Sequence, residues 1–277
     1  MPWARDSGNL MRPRAQMRCT CRLWVGCVTL AIAAHPLRAQ ILETETARIL
    51  KRGAIEVASN FEFQTAKDGR EYAVPFAIEF GLGDRLELLI EPVAYTRIRP
   101  SVGRQATGRG DIEVTMTTLF ARETASHPAI AVAAEVKIPT ARDVLIGTGK
   151  ADVAGYLIAS RRFRRLDAHA NLGYTIVGQP RGVHLQNIVN GAIGLQYSLG
   201  RHAELFGEVL GNTAALAEGD SPASAPGVTV PEAPAGEQVG TIGVARDMVP
   251  GLKLSIGIAY DNNGAVMLRP GLIWHFR

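Results

Sequence analysis

Beyond position 27 the 277-residue chain has no cysteine; its three thiols are Cys19, Cys21 and Cys27. A domain built from the later residues has no disulfide, no thiolate metal site and no cysteine nucleophile. Long apolar runs are missing too: after Gln40 no stretch approaches the roughly 20 residues that a membrane-spanning helix needs. Aromatic residues make up only 6% of the chain, thin for any protein that needs aromatic belts. His169, His184, His202 and His275 are scattered without ligand spacing, which argues against a metal centre. Gly147-Thr148-Gly149-Lys150 is not a phosphate loop: Val144 stands where the first glycine belongs, and Ala151 where a magnesium-binding Ser or Thr belongs. Arg109-Gly110-Asp111 reads as a turn into a strand rather than an adhesion tripeptide. No cofactor is implied.

The basic balance of the chain is local. Arg18 and Arg22 precede an uncharged apolar run, Leu23 to Ala34; His35-Pro36 ends it, and Leu37-Arg38-Ala39 places a small residue before Gln40. That order is the order of a secretory signal peptide, with an apolar run too short to span as a helix. The expected organisation is a leader over 1–39, removed on export, and one domain over 40–277. An uncleaved anchor is the alternative, and initiation at Met11 or Met17 would give a leader of more usual length. Cys27 is not read as a lipid-modified cysteine, because Trp24-Val25-Gly26 suits a lipobox poorly and the apolar run continues past it. Six of the 30 basic residues and one of the 26 acidic residues fall in the leader. The remaining 24 and 25 leave a net charge of −1, which removes the support for a nucleic-acid partner.

What the chain does have is alternation of period two, the pattern of strands with two different faces. Tyr72, Val74, Phe76, Ile78, Phe80 and Leu82 alternate with Ala73, Pro75, Ala77, Glu79 and Gly81. The same pattern recurs in Ile112 to Phe120, Ile130 to Ile138 and Leu252 to Tyr260. Twelve such segments are expected, near 54–64, 71–82, 85–98, 110–121, 129–139, 152–163, 167–178, 187–199, 203–211, 237–246, 251–260 and 265–276. They are longer than ordinary globular strands and match the roughly 9–11 residues of a tilted strand crossing a bilayer. A short helix is expected over Thr44 to Lys51 in the lead-in.

The connections alternate as well. Gly83-Asp84, Arg122 to Pro128, Arg164 to Leu166, Gly200 to His202 and Asp247 to Pro250 are short, whereas Arg99 to Arg109, Thr140 to Ala151, Gln179 to Gln186 and Asn212 to Gly236 are long. Thr65 to Arg70 and Asp261 to Gly264 are the shorter members of the long set. Barrels of the bacterial outer membrane keep short turns on the periplasmic side and longer loops outside. In hydrocarbon every backbone N–H and C=O must be paired within the protein, so the sheet must close. The fold expected is therefore all-β, an antiparallel transmembrane β-barrel of about twelve strands. The final strand ends on Trp274 and Phe276, the alternating aromatic close read by the barrel insertion machinery, here followed by Arg277.

Several short pieces, in order, resemble the MetA-pathway phenol-degradation family of outer-membrane transporters. They are Thr44-Glu45 to Gly53 with Glu56, Gly81 to Glu87, Gly108-Arg109-Gly110-Asp111, Ile138-Pro139-Thr140, Gly147 to Asp152, and Asn171-Leu172-Gly173-Tyr174. Ala141 departs from the family, where glycine is common. The resemblance implies a barrel that passes small solutes, hydrophobic or aromatic ones among them; it supplies no catalytic residues.

Charges recur on the second face of the strands, and the lumen-lining candidates are Glu87, Glu91, Arg97, Glu113, Glu135, Lys137, Glu208, Arg246 and Arg269. They either tune solute passage or form ion pairs that merely fill a narrow barrel. An enzyme would need a nucleophile with a base, such as Ser160 with His169, and no spacing marks a triad. The expected partners are outer-membrane lipid and lipopolysaccharide, the insertion machinery and a small solute. The alternatives are an adhesive barrel acting through its outer loops, chiefly Asn212 to Gly236, and a soluble periplasmic β protein with its aliphatic face inside.

Overall fold

The computed structural model describes residues 42–215 and 236–276. The leader, and 216–235 of the longest connection, lie outside the described residues. Fourteen strands follow one another: β1 (Ile55–Asn60), β2 (Glu62–Ala66), β3 (Gly69–Gly81), β4 (Leu86–Pro100), β5 (Ala106–Gly108), β6 (Ile112–Ala121), β7 (Ala129–Ile138), β8 (Asp152–Phe163), β9 (Leu166–Ile176), β10 (Ile188–Ser198), β11 (Ala203–Asn212), β12 (Gln238–Val249), β13 (Leu252–Asp261) and β14 (Val266–Phe276). All pairings are antiparallel between neighbours, and β1 bonds both β3 and β14, so the sheet closes on itself.

Two pairs of strands share one place in the wall. β1 and β2 both lie between β3 and β14, separated at Phe61. β5 and β6 both lie along β4, bridged by the Gly110 amide donating to the Val93 carbonyl at 2.9 Å. The barrel thus has twelve positions, and the ends of the twelve expected segments agree with them to within four residues.

Alternation then sorts the side chains. Glu56 (1% exposed), Lys253 (2%) and Ser160 (1%) are buried, while Ile193 (62%), Val209 (65%) and Ile242 (57%) are exposed. A water-soluble sheet protein hides its aliphatic face; this one hides its charges and shows its aliphatics, which is the arrangement hydrocarbon requires. The soluble reading fails on that point. Exposed aromatics gather at the two ends of the wall: Phe120, Tyr197, Trp274 and Phe276 at the short-turn end, Tyr95, Tyr174 and Tyr260 at the loop end. These are the positions of interfacial aromatic belts.

Candidate functional site

The lead-in does not form the expected helix over Thr44 to Lys51. Residues 42–50 run as an irregular strap inside the barrel; the amides of Thr44, Glu45, Ala47 and Leu50 donate to side chains of the wall, and that of Arg48 to the Thr46 hydroxyl at 3.1 Å. The Thr44 amide and hydroxyl donate to Glu208 at 3.0 and 2.9 Å. Glu45 donates its amide to Asn171 Oδ1 at 2.6 Å and accepts from Asn171 Nδ2 at 2.9 Å. The Ala47 amide donates to Ser160 Oγ at 2.9 Å, and the Leu50 amide to Glu87. These polar groups cover backbone that a buried, unpaired strap would leave unsatisfied.

Ion pairs and apolar contacts seat the same segment. Arg48 pairs with Glu123 at 2.7 Å and Asp167 at 2.8 Å, and Glu43 pairs with Arg269, which also meets Glu62 at 3.0 Å. Burial pushes the Glu123 carboxyl up, but the Arg162 amide and the Arg48 guanidinium outweigh it and hold Glu123 below the usual carboxylate range. Leu42 packs with Ala58, Phe206, Ala245 and Ile273; Ala47 and Ile49 pack with Leu119, Ile158 and the in-facing alanines of β7. Where the strap reaches the wall, Gly53 donates to the Gly81 carbonyl at 2.7 Å, and a Cβ on Gly81 would strike the Lys51 carbonyl.

Pieces that are separate in sequence meet here. The Gly53 and Gly81 segments join at the strap's root. At the loop end Asp111 Oδ1 accepts the Thr140 and Ala141 amides, both at 2.9 Å, and the Thr140 hydroxyl donates to the Gly110 carbonyl at 2.8 Å. Asp152 accepts the Gly178 amide at 2.8 Å and pairs with Lys137. Asn171 is the strap's clamp.

Of the lumen candidates, Glu87, Glu91, Glu113, Glu135, Lys137, Glu208 and Arg269 stand on inward positions of their strands. Glu91 lies directly across from Glu113, and Glu113 across from Lys137. With Glu71 and Glu79 of β3, the wall from β3 to β7 sets a run of carboxylates against a single lysine.

Two candidates need correction. Arg97 pairs with Tyr72 on the outward face, because a bulge at Val74/Pro75 adds a residue to β4 and inverts its faces beyond Val93. Arg246 shares the outward face with Ile242 and Val244; it lies near the short-turn end of β12, where an arginine reaches from lipid to headgroups.

Ser160 and His169 do come together. They face each other across β8 and β9, with Ser160 Oγ 2.8 Å from His169 Nδ1. That oxygen also accepts the Ala47 amide and lies 3.4 Å from the Thr46 hydroxyl, so the pair is occupied in anchoring the strap. Both side chains are buried. His184 and His202 lie in connections, His202 being 4.0 Å from Asp247. The anchors that sequence reasoning missed are Glu123, Asp167 and, outside the family resemblance, Asn171; each is a polar residue on an inward or turn position, the one signal they carried.

Neither a protein-family model nor a curated protein sequence matches the chain. Solved structures do. The COG4313 outer membrane channel from Pseudomonas putida F1 is 12% identical, with a TM-score of 0.62 over 85% of this chain and 100% of that one. The NanC porin is 9% identical, with a TM-score of 0.55 over 79% and 98%. The KdgM porin in complex with disordered oligogalacturonate is 9% identical, with a TM-score of 0.53 over 80% and 99%. At these identities the likeness establishes the fold, an outer-membrane type of antiparallel barrel.

Proposed function

We propose that the protein is a channel of the bacterial outer membrane for small solutes, with its path running between the strap and the carboxylate wall. The observation that carries this is the asymmetric lumen. Residues 42–50 are bonded mainly to β8, β9 and β11, while Glu71, Glu79, Glu91, Glu113 and Glu135 stand on β3, β4, β6 and β7. A ring or wall of carboxylates favours cations and solutes with polar or cationic groups. The barrel's short turns, with the start of β1 and the end of β14, face the periplasm, and the belts of aromatics set its depth. The resemblance to the MetA-pathway phenol-degradation family adds aromatic compounds to the candidate cargo. Solved outer-membrane channels and porins of the same fold support the reading. This reading assigns the protein no reaction of its own: the Ser160–His169 pair anchors the strap.

Planar-bilayer recording and liposome swelling test this directly. The folded protein should give small conductance steps, a reversal potential favouring K⁺ over Cl⁻, and uptake of some members of a panel of aromatic and sugar solutes. A folded, inserted barrel that passes neither ions nor any solute overturns the channel reading and leaves the fold untouched.

A further inference from the structure

The outward face changes character at the loop end of β3 and β4. On β3 it passes from Ile78 through Tyr72 to Arg70; on β4 it passes from Ile90 through Tyr95 to Arg97 and Arg99. Aliphatic, then tyrosine, then arginine is the order of hydrocarbon, interface and headgroup. The register sets Arg70 directly across from Arg99, and Tyr72 across from Arg97. Like charges in direct opposition destabilise a sheet unless something neutralises them. Nothing in the described chain does. None of the three arginines pairs with a carboxylate among the described residues, and Arg97 Nε and Arg99 Nε are shielded from solvent without a hydrogen-bond partner. Arg99 rests 6.0 Å from the centroid of the Tyr72 ring, which holds its guanidinium against the wall. An outward arginine at the opposite end of the barrel differs: Arg161 donates to the Ala125 carbonyl at 2.8 Å.

We infer that Arg70, Arg97 and Arg99 bind the phosphate of a phosphorylated lipid headgroup in the outer leaflet, with the acyl chains lying along the apolar face below Tyr72 and Tyr95. Guanidinium forks match phosphate oxygens in number and plane. The inference rests on the barrel lying in the outer membrane and is independent of whether its lumen conducts.

The test uses the full chain in detergent, with native mass spectrometry reading the retained lipid. The probes are diphosphoryl lipid A, the same lipid freed of both phosphates, and inorganic phosphate. Wild type should retain diphosphoryl lipid A and lose it on dephosphorylation. The pair Arg97→Gln with Arg99→Gln should weaken retention about 30-fold, from two surface cations. Arg246→Gln, an outward arginine at the other end, should leave it unchanged. Because the wild-type comparison needs no variant, misfolding of the double variant leaves the test intact. Equal retention of the phosphate-free lipid, equal loss in Arg246→Gln, or inorganic phosphate binding as tightly as the lipid would each overturn the site. Conductance recorded on the same samples separates the two readings: a silent wild-type barrel that still holds lipid A sinks the channel and spares this site.

Discussion

At Gly194 the strap packs directly on the wall, and filling that position should lift the strap out. A Cβ there would sit 2.6 Å from Leu42 Cδ1 and 3.0 Å from Thr44 Cβ. Carbon atoms at rest lie about 3.5–4.0 Å apart. Gly194→Val suits a strand locally, since β-branched side chains pack well on a pleated surface. Its cost falls on the contact with the strap. Overpacking of this kind costs about 1–3 kcal/mol. Shifting Thr44 to relieve it also stretches two hydrogen bonds to the Glu208 carboxylate, bonds of a kind worth about 1.5–3 kcal/mol each, part of which lumen water restores. A net of about 2–4 kcal/mol against the seated strap raises its released fraction roughly 30- to 700-fold. Arg48 reports the change. In the seated strap its side chain is 10% exposed and bound to two carboxylates, so trypsin should cut there only when the strap is out. Cleavage tracks the open population when opening is fast. The rate of cleavage after Arg48 should therefore rise by the same factor, along with conductance. Gly191→Val is the control: it lies outward on the same strand, with its nearest atom a carbonyl oxygen at 3.7 Å, and should change neither. A folded Gly194→Val barrel with wild-type protection at Arg48 would refute the packing argument.

Three further outcomes are expected. Glu91→Gln with Glu113→Gln removes two facing carboxylates from the wall and should move the reversal potential under a KCl gradient toward zero; an unchanged potential would place the permeating ions elsewhere. Ile256→Arg, at the centre of the outward face of β13, should cost about 2–4 kcal/mol of folding stability in liposomes, measured by denaturant titration, and a neutral result would deny that this face meets hydrocarbon. In the outer loops, Arg104 donates to both oxygens of Asp143 at 2.6 and 2.7 Å. That bidentate bond and the Leu145 amide hold the Asp143 carboxyl down at about 2. A folded-state pKa below the ordinary 3.8 gives a contribution present above 3.8 and lost as pH falls through about 2. Amide exchange in 139–151 should therefore stay slow at pH 4 and rise near pH 2, and Asp143→Asn should be fast at both.

The barrel was legible because its signal is local and redundant. Each strand repeats its own alternation, so an error in one, such as the three-residue shortfall at the end of β12, does not spread. Side-chain direction was legible only up to a bulge. One inserted residue opposite Val74 reverses everything after it, and so Arg97, which follows the parity of Glu91, ends on the lipid side. The strap was not legible at all. Its partners lie 113 to 164 positions away in Ser160, Asn171 and Glu208, and a segment with no periodicity offers no rule that says which polar groups it will meet. A helix is the natural reading of Thr44 to Lys51 in isolation; the wall's side chains compete for its amides and win.

The lumen divides by side-chain size before it divides by charge. Under the strap many inward positions are small: Ala129, Ala131 and Ala133 on β7, Ala154 on β8, Gly194 on β10 and Ala245 on β12. Twelve strands enclose more room than such side chains fill, and the strap supplies the missing volume. Opposite, long glutamates fill the space themselves. The two halves are nonetheless coupled, because the strap carries two carboxylates of its own, Glu43 and Glu45, into the barrel. Releasing the strap widens the path and also withdraws two carboxylates from it. Gly194→Val should therefore raise conductance while lowering preference for K⁺, a combination that simple widening at constant charge density does not require. Adding Glu91→Gln and Glu113→Gln should then change selectivity less than it does in the wild type, since part of the field they share with the strap is already gone. Full additivity of the two effects would mean that ions pass where the strap's charges are not felt.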